Sequence, residues 1–247
     1  MIIAVLSDIH GNREALAVVL GQISRLSVDS VYCLGDIVGY NADPDFCLQE
    51  LIPRCEFLVR GNHDKATAGN LSLEWFNPAA EKAVLWTRGA MRPANLQKLE
   101  RLKAGPLEAG GGILLCHGTP MDEDAYMWGG PLMVDTFQYL AKHHPETRVC
   151  FHGHTHIPLI AERRERKAST VSEEREISLD PHGTYLINPG SVGQPRDGNS
   201  RASFGILDTE RSVYRNLRLR YDVQETQRKI LAAGLPRDLS RRLAEGR

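Results

Sequence analysis

Five short apolar runs, each followed at once by a side chain able to bind a metal, constrain this chain more than any other feature. They are IIAVL (2–6), VYCL (31–34), EFLV (56–59), ILLC (113–116) and VCF (149–151). Behind them come Asp8 and His10, then Asp36, then Asn62 and His63, then His117, then His154 and His156. Continuous apolar runs of this length are expected of strands buried on both faces. In an open α/β sheet, ligands bind beyond the C-terminal ends of such strands. Carboxylate, amide and imidazole groups scattered from position 8 to position 156 are therefore expected to meet in space.

Helical patterns lie between the runs. Gly11–Leu26 carries apolar residues at helical spacing. Asp43-Pro44, Asn77-Pro78 and Pro93 open further helices, running to about Leu51, Arg88 and Lys103. Alternating strand and helix implies a sheet with a parallel portion covered by helices. Beyond Arg148, VCFHGHTH, IPLIAER, REISLD, TYLINPGS, ASFGILDTE and SVYRNLRLRY read as successive strands. They suggest a second, more antiparallel sheet packed on the first. The mixed-charge stretch 162–180 reads as a solvated hairpin. From Asp222 onward the pattern is amphipathic and helical. The reading is one layered domain over 1–247, with 222–247 a C-terminal helical extension.

A formal net charge of −1 gives no reason to expect nucleic acid or a charged membrane as an obligate partner. None of the five cysteines falls in a C-x-x-C pair, and three lie inside apolar runs. No disulfide framework is expected, and a reducing compartment follows. The first apolar run is too short for a signal peptide and no run is long enough for a membrane span, so a cytoplasmic protein is expected.

The candidate ligands exceed what one tetrahedral ion takes. Mixed imidazole and carboxylate donors suit borderline metals: Mn, Fe, Zn or Ni, with Mn favoured in vitro. The set matches two divalent ions sharing a carboxylate and a water. Such a pair, about 3.5–4 Å apart, clamps phosphate and lowers the pKa of water from 15.7 toward about 7. A hydroxide bridging the ions would be the nucleophile. His63, next to Asn62, is placed to protonate a leaving oxygen. Asp64 either orients that imidazole or caps the turn.

SDIHGN (7–12), LGDIVGY (34–40), RGNHD (60–64), CHGTP (116–120) and HGHTHIP (152–158) together resemble the calcineurin-like metallophosphoesterase superfamily. NPGSVGQPR (188–196) resembles its bacterial small-phosphoesterase branch, which includes relatives of diadenosine tetraphosphatases. The resemblance covers roughly residues 1–208. It implies a four-layer α/β-β/α sandwich of two mixed β-sheets flanked by helices, with a dinuclear site at the strand ends. One metal would be held by Asp8, His10, Asp36 and His156. The other would be held by Asp36, Asn62, His117 and His154, with Asp36 shared and His63 near the leaving group. Protein phosphatases of the superfamily carry GDxVDRG, with an orienting aspartate and a phosphate-binding arginine. Gly39 and Tyr40 stand in those places here, which points away from phosphoprotein substrates.

The implied activity is hydrolysis of a small phosphomonoester or phosphodiester. The alternative is a dinucleoside polyphosphate, with Tyr126 and Trp128 stacking on a base. A non-enzymatic alternative is a protein-binding scaffold on the same fold, as in a retromer subunit. Arg60 is a candidate phosphate contact or a surface ion pair. Asn12 either hydrogen-bonds near the site or starts its helix. The 121–131 loop reads as substrate-facing or simply packed.

Overall fold

The computed structural model describes residues 1–164, 167–171 and 176–247, with side chains placed outside 165–175. In chain order the elements begin with β1 (Ile2–Leu6), α1 (Arg13–Arg25), β2 (Ser30–Cys33), α2 (Pro44–Leu51), β3 (Cys55–Leu58) and α3 (Asn62–Thr67). Next come α4 (Pro78–Ala90), α5 (Pro93–Glu100), β4 (Leu107–Gly110), β5 (Ile113–Leu115), α6 (Gly130–His143) and β6 (Val149–Phe151). The rest are β7 (Leu159–Arg164), β8 (Lys167–Val171), β9 (Glu176–Ser178), β10 (Gly183–Asn188), β11 (Ala202–Asp208), β12 (Val213–Leu219), α7 (Val223–Ala232) and α8 (Arg237–Glu245).

The strands form two six-stranded mixed sheets, ordered β3-β2-β1-β11-β12-β9 and β4-β5-β6-β10-β7-β8. The β1–β2, β2–β3, β5–β6 and β6–β10 pairs are parallel. The division between sheets therefore differs from the expected split into an early parallel sheet and a late antiparallel one. β5 and β6 leave the first sheet, while β11 and β12 return to it beside β1. Local patterning marks a strand as buried on both faces but carries no information on which edge it joins.

Residue alternation explains why the runs are apolar throughout. Ala4 and Leu6 face α1 and α2, whereas Ile3 and Val5 face the other sheet. In β6, Val149 and Phe151 face the space between the sheets, and Cys150 packs under Phe137 and Leu140 of α6. The layers are thus helices, sheet, sheet, helix. A fully buried side chain of this size stabilises the fold by about 1.5–3 kcal/mol. A separate cluster joins α4, α7 and α8 through Ala80, Ala83, Ile230, Leu239 and Leu243, and it closes on Tyr40.

The expected helices form with ends shifted by a residue or a few. The patterning did not expose α3, α6 or β4. β7 and β8 pair antiparallel as expected of the charged hairpin, but 165–166 and 172–175 lie outside the described residues. All five cysteines are free. Among the described residues, no helix is long and apolar enough to cross a membrane.

Candidate metal centre

The ends of β1 and β2 continue their pairing as tight turns. Asp8 N donates to Gly35 O, His10 N to Asp36 O, and Gly11 N to Ile37 O, at 2.8–3.0 Å. Asp8, His10, Asp36, His154 and His156 all have φ between 50° and 67°, the left-handed region. Such backbone costs roughly 1–2 kcal/mol per residue for an L-amino acid, and Asp and His are among the residues that tolerate it. The gain is direction: each turn aims its side chain into the gap between the two sheet edges. Strain of this kind concentrates at functional sites.

Two groups of side chains result, both buried. Ligand atoms of Asp8, His10, Asp36 and His156 all lie within 4.8 Å of one another, as do those of Asp36, His117 and His154. Asp36 belongs to both. Asn62 Oδ1 lies 3.2 Å from His117 Nε2, at the second group.

The imidazoles are oriented by main-chain carbonyls. His10 Nδ1 donates to Val38 O (3.1 Å), His156 Nδ1 to Gln194 O (2.6 Å), His117 Nδ1 to Leu34 O (2.8 Å) and His154 Nε2 to Asp124 O (3.0 Å). A carbonyl only accepts, so each of these nitrogens carries the proton. The inward nitrogens are then lone pairs in the neutral rings. The Nε2 atoms of His10 and His156 face each other at 3.1 Å. Burial holds both rings well below the usual imidazole range, so neither readily takes a proton to relieve the opposition. A cation satisfies both lone pairs together, and carbonyl-anchored histidines are the usual arrangement around one. In the other group, His117 Nε2 lies 3.1 Å from His154 Nδ1 and 3.4 Å from Asp36 Oδ2. Burial disfavours a charged His117, but Asp36 and then Asp8 outweigh it and push its pKa up to about 10. Desolvation, joined by the charge of Asp36 and opposed by His117, raises Asp8 to about 7. Metal ions of charge +2 invert this balance, favouring carboxylate and neutral imidazole. The donor set fits borderline divalent metals.

A model of the calcineurin-like phosphoesterase superfamily domain matches residues 1–212. The chain belongs to this superfamily. It is 39% identical to an uncharacterized protein of Methanocaldococcus jannaschii over 249 aligned positions, covering 99% of this chain and 98% of that one. It is 36% identical to the crystal structure of a metallophosphoesterase from Sphaerobacter thermophilus, with TM-score 0.83 over 100% of this chain and 99% of that one. A hypothetical protein from Pyrococcus horikoshii shares the fold at 19% identity, with TM-score 0.80 over 100% and 98% of the two chains. Metal-dependent phosphoester hydrolysis is the chemistry of this superfamily, and the buried Asp and His groups are where this member can hold metal.

Other expected residues fall at varying distances from these two ligand groups. His63 stands beside it, its ring 4.9 Å from His10, 4.3 Å from Tyr40 and 5.1 Å from Phe76. Burial lowers its pKa to about 4, against the pull of Asp36. Its Nδ1 is buried with no partner among the described residues, and the residue lines the adjacent cleft. Asp64 turns away: its oxygens accept from Val38 N (3.1 Å) and Gly61 N (3.0 Å), the turn-capping alternative. Arg60 forms a two-pronged pair with Glu123 at 3.1 and 3.3 Å, which also meets Lys65. Asn12 caps α1 by accepting from Ala15 N, and donates to Gly193 O. Tyr126 covers His154 at 3.8 Å, and Trp128 lies parallel to Tyr126 at 5.7 Å. Both aromatics are substantially exposed while Met127 between them is buried, so the loop packs through one residue and presents the other two.

Beside His63 and Asn62 opens a cavity of about 300 Å³, lined also by Tyr40, Phe76, Trp75 and Tyr126. Leu71, Ser72 and Asn77 also line it, and the signal for this wall in the sequence is the Trp75-Phe76 pair within a polar loop. Gly61 illustrates how tightly the centre is built. A Cβ there would lie 2.1 Å from Asp36 Oδ1 and 2.5 Å from Asp36 N. Gly61→Ala is expected to cost about 1–3 kcal/mol by overpacking, and to weaken metal binding about 10- to 100-fold by displacing Asp36. Thermal unfolding and metal titration check this. An alanine variant matching the parent in both would show that Asp36 is free to move.

Proposed function

We propose that this protein is a phosphoesterase with two divalent ions, hydrolysing a small phosphomonoester or phosphodiester. The observation that carries this is the sharing of Asp36 between two buried ligand groups that adjoin an open cleft. Asp8, His10, Asp36 and His156 would hold one ion, and Asp36, Asn62, His117 and His154 the other. Together the ions would supply Lewis acidity and an activated water for in-line attack. The chain's own residues do the rest. Main-chain carbonyls at Val38, Leu34, Asp124 and Gln194 fix the imidazoles before substrate arrives. Tyr40 and Phe76 wall His63 beside the cleft, where its imidazole would deliver a proton to the leaving oxygen. A phosphate anion near this ring raises its pKa from about 4 toward a useful range.

The test uses purified protein with Mn²⁺ and two aryl substrates, p-nitrophenyl phosphate and its bis ester. Turnover of at least one is expected. His63→Ala should slow esters with poor leaving groups by about 10²- to 10⁴-fold, the usual range for general acid catalysis. Esters whose leaving groups need no proton should be slowed less. Equal slowing of both would remove His63 from the leaving-group role.

A second reading, dinucleoside-polyphosphate hydrolysis, is favoured by the parallel, exposed Tyr126 and Trp128 beside His154. Base stacking on such rings contributes about 1–3 kcal/mol. Diadenosine tetraphosphate turned over with far higher kcat/KM than the bis aryl ester would select this reading. The reverse order would discard it.

A further inference from the structure

Position 40, where protein phosphatases of the superfamily carry a phosphate-binding arginine, is tyrosine. Yet the Tyr40 hydroxyl accepts a hydrogen bond from an arginine that arrives from elsewhere in the chain. Arg196 Nη2 lies 3.3 Å from Tyr40 Oη and 3.1 Å from Gln194 Oε1. Its guanidinium carbon sits 5.8 Å from the centre of the Tyr40 ring, which in turn lies 4.5 Å from His10 and 4.3 Å from His63. The Tyr126 side chain, from the 121–131 loop, also interacts with it.

Three observations distinguish this arginine from others near the site. All three of the partners above, Tyr40, Gln194 and Tyr126, are neutral. The adjacent carboxylate, Asp197, is taken by Arg218, and no carboxylate among the described residues pairs with Arg196. Arg60, by contrast, is already neutralised by Glu123. Finally, Nε of Arg196 is buried and meets no acceptor among the described residues. A half-buried guanidinium with an unused N–H, held by neutral groups, is costly unless an anion completes it. Its field reaches Asp8, His10, Tyr40, His63, His154 and His156.

We infer that Arg196 binds the non-bridging oxygens of the substrate phosphoryl group, supplying from the β10–β11 connection the cation that Tyr40 lacks. Tyr40 and Gln194 are its positioning residues. Guanidinium is suited to the task because its planar fork pairs two phosphate oxygens at once. The same connection orients one candidate metal ligand through Gln194 O and His156 Nδ1, so the clamp and that ligand are placed by one segment. Arg196 ends the segment NPGSVGQPR, and as a residue that is not a metal-ligand type it carries no signal from sequence alone.

This inference rests on the phosphoesterase reading, and the test separates the two. Manganese-loaded protein is titrated with inorganic phosphate by calorimetry, and metal content is measured by elemental analysis. Arg196→Met is expected to weaken phosphate binding about 10- to 100-fold with metal content unchanged. Arg196→Lys, which keeps a point charge, should fall between the two. If the parent binds phosphate and cleaves aryl esters while Arg196→Met binds phosphate equally well, the clamp is overturned and the phosphoesterase reading stands. Loss of metal from the Met and Lys variants alike would also overturn it, by making Arg196 a support for His156. A metal-loaded parent that neither binds phosphate nor cleaves esters would overturn both.

Discussion

Asp36→Asn is expected to lower kcat/KM for phosphoester hydrolysis by about 10³-fold or more, equivalent to roughly 4 kcal/mol of transition-state stabilisation. Asp36 is fully enclosed, with Oδ2 at 3.5 Å from His10 Nε2 and 3.4 Å from His117 Nε2. Although burial disfavours its charge, His117 and His63 hold its carboxyl well below the usual carboxylate range. Asparagine keeps the shape and can still accept the 2.8 Å hydrogen bond from His63 N–H, so the turn should survive. What it removes is the charge shared by both ligand groups. Activity and bound metal should fall together while the metal-free unfolding midpoint stays near that of the parent. Parental turnover in the variant would place the chemistry elsewhere.

Stripping metal with a chelator is expected to lower the unfolding temperature by about 5–10 °C. A ligand present at 100 times its Kd stabilises a protein by about 2.7 kcal/mol, and for a chain of this size each kcal/mol moves the midpoint by about 2–4 °C. The structural cause is the opposed lone pairs of His10 and His156 and the buried, repelling carboxylates Asp8 and Asp36. The effect should shrink in acid. Loading expels the proton that the metal-free centre keeps on His117, whose pKa lies near 10, so protons compete more strongly as pH falls. Differential scanning measurements with Mn²⁺ and with chelator, repeated across pH, check both parts. A midpoint indifferent to metal, or a metal effect that grows in acid, would contradict this account.

The residues that gather into the two candidate ligand groups were legible because a strand end is a local feature. An apolar run, a sharp turn and a chemically distinctive residue sit within about ten positions, and the five instances repeat one another. The cleft was less legible. Trp75 and Phe76 lie on a connection whose shape depends on α3 packing against α4, and no periodicity marks it. Gly39 was read as a missing aspartate, whereas the structure shows a Cβ there would lie 2.5 Å from His63 Nδ1. The absence makes room for the imidazole. Asp64 offered two roles from sequence, and its direction was decided only by the unpaired amides of Val38 and Gly61.

By itself, the sequence determined the alternation of strand and helix, the residues that can hold metal, and the superfamily. These follow from patterns a few residues long, set by burial and turn chemistry. Tertiary structure alone decided which sheet each strand joined, that Arg60 is neutralised while Arg196 is not, and that Tyr40 meets Arg196 across 156 positions of chain. Sheet order and ion pairing depend on which distant surfaces fit together, and no local spacing encodes that fit.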